Sequence, residues 1–323
     1  MPPQLSTWGF EAEFQTGAAD VIASLFAKGL TGDGVLHGYH CDCDLCMVGN
    51  EWPVKGQADS TCSGEIISNI LVHKGMLHPL GLTHNADEIL EEVQKSAIEV
   101  DAEPGLTSGF HVHVGISHLN PEQRGRAFLA YLKWEPLLVK LATGRWTGLR
   151  EGVNRSLRDS SLRDANQIAR WAGVQSVLSW HEWFTRREEF REWATTETRM
   201  HSSSLEGGLG SQLQMLHEGR DRHSFLNVST NHPTWEFRLW NSTRSAWRMD
   251  MHSRVSVAMM DPAVSTRLLE ENFPQRLRRE TLNRFTRMLA ECEHEKAAEL
   301  IEKQAWYLTH RATNAPSTLT SIN

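Results

Sequence analysis

The sequence predicts an α+β protein, with a mostly antiparallel sheet that carries helices on its apolar face and leaves an acidic face open. Two observations lead to this fold class. Four segments alternate apolar and polar residues with a period of two, and each carries glutamates or histidines on one side. Segments with helical spacing separate these strands and fill the chain after residue 243, and the turn residues between strands favour antiparallel pairing.

The segment 234–240 is the predicted strand around which the rest of the chain is arranged. In 234–240, Trp235, Phe237 and Leu239 point one way, while Glu236 and Arg238 point the other way. Three earlier predicted strands show the same alternation, and their polar sides carry Glu11 and Glu13, then Glu65, then His111 and His113. The predicted strands are 7–15, 52–55, 64–71, 107–117, 224–230 and 234–240.

Helical spacing predicts helices at 18–30, 86–100, 120–143 and 163–184, and a helical region from residue 243 that is broken at Pro262 and Pro274. Asn85 and Glu88 form the capping-box pattern at the start of the second helix. Residues 1–245 are predicted to form the core domain, with a Cys-rich loop at 37–62 and an Arg-rich insertion at 144–222. Residues 246–311 are predicted to be helices packed on this core, and 312–323 a flexible tail.

Composition limits the class of protein. The chain has 323 residues, of which 40% are hydrophobic and 23% charged, as in an ordinary globular protein. Its net charge of −7 gives no electrostatic attraction for nucleic acid or an anionic membrane. No signal peptide or apolar span is recognisable, and five cysteines do not form a disulfide pattern. A cytoplasmic protein is expected, and its oligomeric state stays open.

The charged face of the predicted sheet suits a hard divalent cation. Carboxylates crowded on one face repel one another unless cations lie among them. Carboxylates with an imidazole suit Mg²⁺ or Mn²⁺, and an arginine beside them suits a phosphoryl group. Each motif alone has a plainer interpretation: E-x-R as a surface ion pair, and H-x-H as two satisfied histidines. The residues on this face are Glu11, Glu13, Glu65, His111, His113, Glu236 and Arg238.

Four motifs in chain order resemble the amidoligases, the carboxylate–amine ligases that share the catalytic fold of glutamine synthetase and glutamate–cysteine ligase. The motifs are Gly9–Phe14 (GFEAEF), Gly64–Ser68 (GEIIS), Ser108–His113 (SGFHVH) and Trp235–Arg238 (WEFR). The resemblance covers roughly residues 7–245. The segment before the second motif, with Trp52 followed by Asp59 and Ser60, also resembles the corresponding segment of that family.

The resemblance implies two or three Mg²⁺ ions on the sheet face and ATP as a substrate. It groups Glu11, His111 and Glu236 around one ion. It groups Glu13 and Glu65 around another, where the family has a second acid for which only Asp59 is available here. The candidate catalytic residues are Arg238, Glu236 and Glu65, and the candidate nucleotide contacts are His113, Arg238 and Ser108.

The implied reaction joins a carboxylate to an amine through an acyl phosphate, with an amino acid, peptide or modified small molecule as substrate. A metal-dependent hydrolase or phosphodiesterase, or a non-catalytic scaffold, remains an alternative. Residues 144–191 contain nine arginines and no lysine, and guanidinium groups bind carboxylates bidentately. The candidate substrate contacts are Arg150, Arg155, Arg158 and Arg163, whose alternative role is a charged helix surface.

The Cys-rich loop is a separate candidate metal site. Cys41, Cys43, Cys46 and Cys62 could supply four soft ligands to structural Zn²⁺. The alternatives are thiols without a metal, or a redox or catalytic role. The neighbouring Asp42 and Asp44 oppose the catalytic role, because a nearby carboxylate raises the pKa of a thiol.

Overall fold

The computed structural model describes residues 7–38, 41, 43, 52–60, 62–71, 85–105, 108–143, 226–227, 234–271 and 279–314. Within these residues the protein is α+β, which confirms the predicted class, and comprises a seven-stranded sheet and seven helices. In the part of the chain so described, no helix is long and apolar enough to cross a membrane.

The strands follow the order β2-β3-β4-β1-β5-β7-β6 across the sheet. Their bounds are β1 Trp8–Phe14, β2 Leu36–His37, β3 Val54–Gln57, β4 Gly64–Ser68, β5 Gly109–Gly115, β6 Leu226–Asn227 and β7 Thr234–Asn241. All neighbours pair antiparallel except β2 and β3, which are parallel. The sheet is therefore mixed. The parallel pair was not expected, because no strand was predicted at the two-residue β2, whose last residue begins the predicted Cys-rich loop.

The helices are α1 Ala18–Ala27, α2 Ala86–Glu99, α3 Pro121–Thr143, α4 Ala246–Met259, α5 Pro262–Glu270, α6 Arg279–Glu291 and α7 Glu295–Asn314. Helix α1 ends at Ala27, before its predicted limit of residue 30. Gly29, just after the helix, has a φ of 72°, a left-handed conformation that commonly ends a helix. At the start of α2, Asn85 Oδ1 accepts a hydrogen bond from the Asp87 amide at 3.1 Å, and its Nδ2 donates to Glu88 Oε1 at 3.2 Å. The predicted helix 163–184 lies outside the described residues.

One face of the sheet is covered by helices. Helix α1 packs on β3 and β4, α4 on β1 and β5, and α3 on β7. The buried residues there include the aromatic side chains that the period-two pattern placed on one side. Phe10 of β1 and Phe110 of β5 stack at 5.4 Å between ring centroids. This packing holds the central strands together and turns their polar side chains to the opposite face.

A bulge between β5 and β7 changes the alternation of β7. Phe110 pairs with Trp240, and Val112 pairs with Phe237, so Arg238 and Leu239 together lie opposite the single residue His111. The bulge turns Trp240 into the core, where its ring stacks on His252 of α4 at 4.5 Å and is fully buried. Strict alternation would have placed Trp240 on the charged face. The irregularity lies beside the candidate site.

Replacing Gly64 by alanine is expected to lower the free energy of unfolding by roughly 1–3 kcal/mol. Gly64 begins β4 with a φ of 142°, and a Cβ there would lie 2.7 Å from Leu36 Cδ1 and 3.1 Å from Gln57 O. The matched control is Gly38→Ala, since a Cβ at Gly38 meets no atom within 4 Å. Urea unfolding of both variants checks this, and equal losses of stability would contradict it.

Candidate metal centre

Four adjacent strands bring the polar side chains of the site together through their register. Glu11 of β1 pairs with His111 of β5, and His113 pairs with Glu236 of β7. On the other side of β1, Glu13 pairs with Glu65 of β4. Directly opposite residues project from the same face of a sheet. The register therefore explains why motifs that lie far apart in the sequence meet in one cluster.

His111 lies at the centre of the cluster. Its Nδ1 is 3.0 Å from Glu11 Oε2 and 3.3 Å from Glu236 Oε1, and its Nε2 is 3.2 Å from Glu13 Oε1. The ring thus contacts three carboxylates from two neighbouring strands, with only 1% of its side chain exposed. It is the principal partner of the buried acids.

His113 forms the outer part of the cluster. Its Nε2 lies 3.0 Å from Glu11 Oε1 and 4.0 Å from Glu236 Oε1, and its Nδ1 lies 3.4 Å from Thr234 Oγ1. Ligand atoms of Glu11, His113 and Glu236 all lie within 4.8 Å of one another, which is close enough to hold one metal ion. The family resemblance grouped Glu11 and Glu236 with His111 around one ion. In the structure both histidines contact these acids. His113 belongs with them to the metal-sized group, the set whose ligand atoms lie within 4.8 Å of one another.

The charged face is less open than predicted. Glu13, Glu65 and Glu236 are nearly buried, with exposures of 4%, 5% and 4%. Glu11 and His113 remain about one-fifth exposed, at 23% and 22% of their side chains. The acids project from paired strands and lie close together, so each reduces the solvent exposure of the others. The residue pattern of a single strand does not predict this burial. Ligands can reach the cluster through Glu11 and His113.

Burial and charge shift the pKa values of this cluster in opposite directions. Burial alone would raise the pKa of Glu11, but hydrogen bonds from His111 and His113 outweigh it and hold that pKa well below its usual value. Burial acts to lower the pKa of His113, yet the hydrogen bond and charge of Glu11 raise it above its usual value. Glu11 and His113 therefore stabilise the charged forms of each other.

Glu65 lies at the far side of the cluster and is held differently. Its Oε1 accepts a hydrogen bond from Gln57 Nε2 at 3.0 Å, and Gln57 is its partner across β3 and β4. Burial, followed by the negative charges of Glu11, Asp59 and Glu13, raises the pKa of Glu65 to about 9. Asp59, the proposed extra acid, therefore acts on this end of the cluster. In the metal-free protein Glu65 is neutral at pH 7, and a bound cation would release its proton.

The raised pKa of Glu65 predicts a pH dependence of stability without metal. The folded protein retains this proton up to about pH 9, whereas the unfolded chain loses it near pH 4.5, so unfolding becomes easier as the pH rises between these values. The loss can reach about 1.4 kcal/mol per pH unit. Glu65→Gln is expected to remove this component. Urea unfolding in chelator from pH 5 to pH 9 checks it, and parallel wild-type and variant profiles would contradict it.

Several residues that support the acids were not predicted. The Gly109 amide donates to Glu13 Oε2 at 2.5 Å, and Ser242 Oγ donates to the Glu13 carbonyl at 2.5 Å. Gln57 holds Glu65 as described above. Gln57 and Ser242 lie outside the four motifs, Gly109 lies within the third, and the contact that each makes becomes visible only through strand pairing. They fix the acids before any ligand binds.

Arg238 and Ser108 occupy different positions in the site. Arg238 Nη1 lies 3.0 Å from Glu236 Oε1, and 20% of the arginine side chain is exposed. Ser108 is buried, and its Oγ accepts a hydrogen bond from the Gly105 amide at 3.3 Å. Arg238 is therefore available at the rim of the cluster, whereas Ser108 stabilises the turn before β5. The predicted substrate contacts Arg150, Arg155, Arg158 and Arg163 lie outside the described residues.

The cysteines divide into two environments. Cys41 and Cys43 meet His37 of β2, and ligand atoms of all three lie within 4.8 Å of one another. Cys62 does not belong to this group: its thiol donates to the Gly64 carbonyl at 3.3 Å, and burial raises its pKa to about 12. Of the predicted set, the structure brings Cys41 and Cys43 together, with His37 in place of Cys62 beside them. Cys46 lies outside the described residues.

No protein-family model matches the chain, and no curated protein matches it.

Proposed function

We propose that the protein is an ATP- and Mg²⁺-dependent carboxylate–amine ligase with a glutamine synthetase-like catalytic fold, and that it forms an amide bond through an acyl phosphate. One observation carries the proposal. Glu11, His113 and Glu236 gather into a group that can hold a metal ion, and Arg238 lies 3.0 Å from Glu236 at its rim. The order of the four motifs along the chain, which resembles that of the amidoligases, supports the same function.

The donor set suits Mg²⁺. Carboxylate oxygens dominate it, with imidazole as the single other ligand type, and hard divalent cations prefer oxygen. The pKa of Glu65 is raised partly by the charges of Glu11, Asp59 and Glu13, which marks an excess of negative charge at that end of the cluster. Glu11, His113 and Glu236 would hold one ion, and Glu13 and Glu65 another. When bound, such ions neutralise the charge of the triphosphate.

Arg238 is suited to the transferring phosphoryl group. Its guanidinium is held by Glu236 on one side and keeps 20% of the side chain exposed. Guanidinium groups bind phosphate oxygens through two parallel hydrogen bonds, and this contact strengthens as charge develops on the γ-phosphate. His113, at the outer edge, would hold the ion through one ring nitrogen as a neutral imidazole, and its other nitrogen, which then carries the proton, can donate to a neighbouring phosphate oxygen. These residues position the nucleotide for in-line attack.

The proposed reaction has two steps. An oxygen of the substrate carboxylate attacks the γ-phosphorus of ATP, and the bond to the β-phosphate oxygen breaks to give ADP and an acyl phosphate. The nitrogen of an amine then attacks the acyl carbon, loses a proton and expels inorganic phosphate. Glu11 and His113 are the most exposed members of the cluster, and we place the acyl phosphate beside them.

Trapping with hydroxylamine tests the reaction without knowledge of the natural amine. Purified full-length protein is incubated with ATP, Mg²⁺, hydroxylamine and a panel of amino acids and short peptides as carboxylates. We expect hydroxamate and ADP in equal amounts for the accepted acid, and neither product when Mg²⁺ is replaced by chelator. Hydroxamate without ADP, or Mg²⁺-dependent phosphodiester hydrolysis in place of both, would contradict the ligase and favour a hydrolase.

A further inference from the structure

A second group of metal-binding side chains lies at the edge of the sheet, away from the acids. His37 ends the edge strand β2, and Cys41 and Cys43 follow it in the chain. His37 Nδ1 lies 3.5 Å from Cys41 Sγ and 3.4 Å from Cys43 Sγ. All three residues are partly buried, and both cysteines are thiols without a disulfide.

These separations are those of ligands on a tetrahedral zinc ion. A sulfur about 2.3 Å and a nitrogen about 2.0–2.1 Å from Zn²⁺ lie about 3.5 Å apart at the tetrahedral angle. Both nitrogen–sulfur distances at His37 agree with this value. Two soft thiolates and one imidazole favour Zn²⁺ over Mg²⁺ or Ca²⁺. The group therefore differs in chemistry from the carboxylate cluster.

Asp33 fixes the tautomer of His37 that a metal requires. His37 Nε2 lies 2.9 Å from Asp33 Oδ2 and 3.1 Å from Oδ1. An ionised carboxylate only accepts hydrogen bonds, so Nε2 carries a proton, and Nδ1 is left as the nitrogen that faces both sulfurs. A carboxylate that orients a ligating histidine is a recurrent feature of zinc sites.

We propose that His37, Cys41 and Cys43 bind Zn²⁺, with Asp33 as the positioning residue for His37. Three protein ligands leave one tetrahedral position, and Cys62 does not fill it, because its thiol donates to the Gly64 carbonyl. The zinc ion links Cys41 and Cys43 to His37 of the edge strand β2.

The zinc site also reaches the acidic cluster through the backbone. His37 pairs with Gln57 of β3, and the His37 carbonyl accepts a hydrogen bond from the Ala58 amide at 2.7 Å. Gln57 in turn donates its side-chain amide to Glu65. Zinc binding therefore stabilises the strand that positions Gln57, and the site is structural rather than part of the proposed reaction.

Metal analysis of the full-length protein tests the proposal. The apoprotein is titrated with Zn²⁺ in competition with a coloured chelator, and we expect one tightly bound zinc ion per chain. The Cys41→Ser/Cys43→Ser double variant is expected to lose it, and Asp33→Asn to bind roughly 10–100-fold more weakly. The matched control is Cys292→Ser, which is expected to bind zinc as the wild type does. Cys292 follows α6, outside the group.

Cobalt substitution of the wild type keeps the test independent of any variant's folding. Co²⁺ bound by two thiolates is expected to give a thiolate-to-cobalt charge-transfer band and the visible absorption of a tetrahedral ion, both removed by added Zn²⁺. A wild type that binds no zinc would overturn the proposal. So would cobalt without the thiolate band, zinc retained in full by the double variant, or an equal loss in Cys292→Ser.

Discussion

Glu236→Gln is expected to lower Mg²⁺- and ATP-dependent turnover by about a thousand-fold while the protein stays folded. Glu236 is nearly buried between His111, His113 and Arg238, and one of its oxygens belongs to the metal-sized group. The amide keeps the shape of the side chain but removes its charge. Loss of a metal ligand at a phosphoryl-transfer site costs several kcal/mol of transition-state stabilisation, and each 1.36 kcal/mol is about tenfold in rate.

Two further variants make this result specific. Glu11→Gln is expected to reduce turnover similarly, because Glu11 is bound by both histidines of the site. Glu302→Gln is the matched control, since this side chain is exposed on α7, and its turnover is expected to equal that of the wild type. Hydroxamate formation measures all three. Turnover that survives in both Glu236→Gln and Glu11→Gln would contradict the site assignment.

His111→Phe is expected to lower the free energy of unfolding by about 3–5 kcal/mol in the absence of metal, the cost of leaving buried charges without their partner. The His111 ring contacts carboxylates of Glu11, Glu13 and Glu236, and two of these acids are nearly fully buried. Phenylalanine keeps an aromatic ring but offers the acids no nitrogen. Urea unfolding in chelator measures the loss.

The same substitution at His252 is the control. His252 is buried, stacks on Trp240, and has its pKa lowered to about 3 by burial and by Arg248, so it is neutral. Its Nδ1 makes no hydrogen bond to any part of the chain that the structure describes. His252→Phe is therefore expected to change stability by less than about 1.5 kcal/mol. Similar losses at His111 and His252 would show that ring packing, and not charge, dominates at His111.

The alternation of residues was sufficient to predict which charged side chains share one face of a strand. Period-two patterns placed Glu11 and Glu13 on one side of β1, and His111 and His113 on one side of β5, as the structure has them. Helix α3 spans Pro121–Thr143, close to its predicted range, because proline at its first turn marks the start clearly. Local sequence patterns were therefore sufficient for features that depend on one strand or one helix alone.

Features that depend on pairing between strands could not be predicted. The bulge opposite His111 exists only in the β5–β7 register, and it moves Trp240 into the core against simple alternation. Strand β2 has two residues, too few to show a period, so the proximity of His37 to Cys41 and Cys43 was not predicted. The burial of the acids arises from their convergence across β4, β1, β5 and β7. In each case the information lies in tertiary contacts rather than in a local pattern.

A thermal-shift titration with ATP, with and without Mg²⁺, tests the central claim most directly, and it needs no knowledge of the acid or the amine. At a ligand concentration 100 times its dissociation constant, binding stabilises a fold by about 2.7 kcal/mol. We expect a rise in melting temperature that requires both ATP and Mg²⁺, is weakened in Glu236→Gln and is unchanged in Glu302→Gln. No rise at millimolar ATP with Mg²⁺, or an equal rise in Glu236→Gln, would contradict the assignment of this face as a metal–nucleotide site.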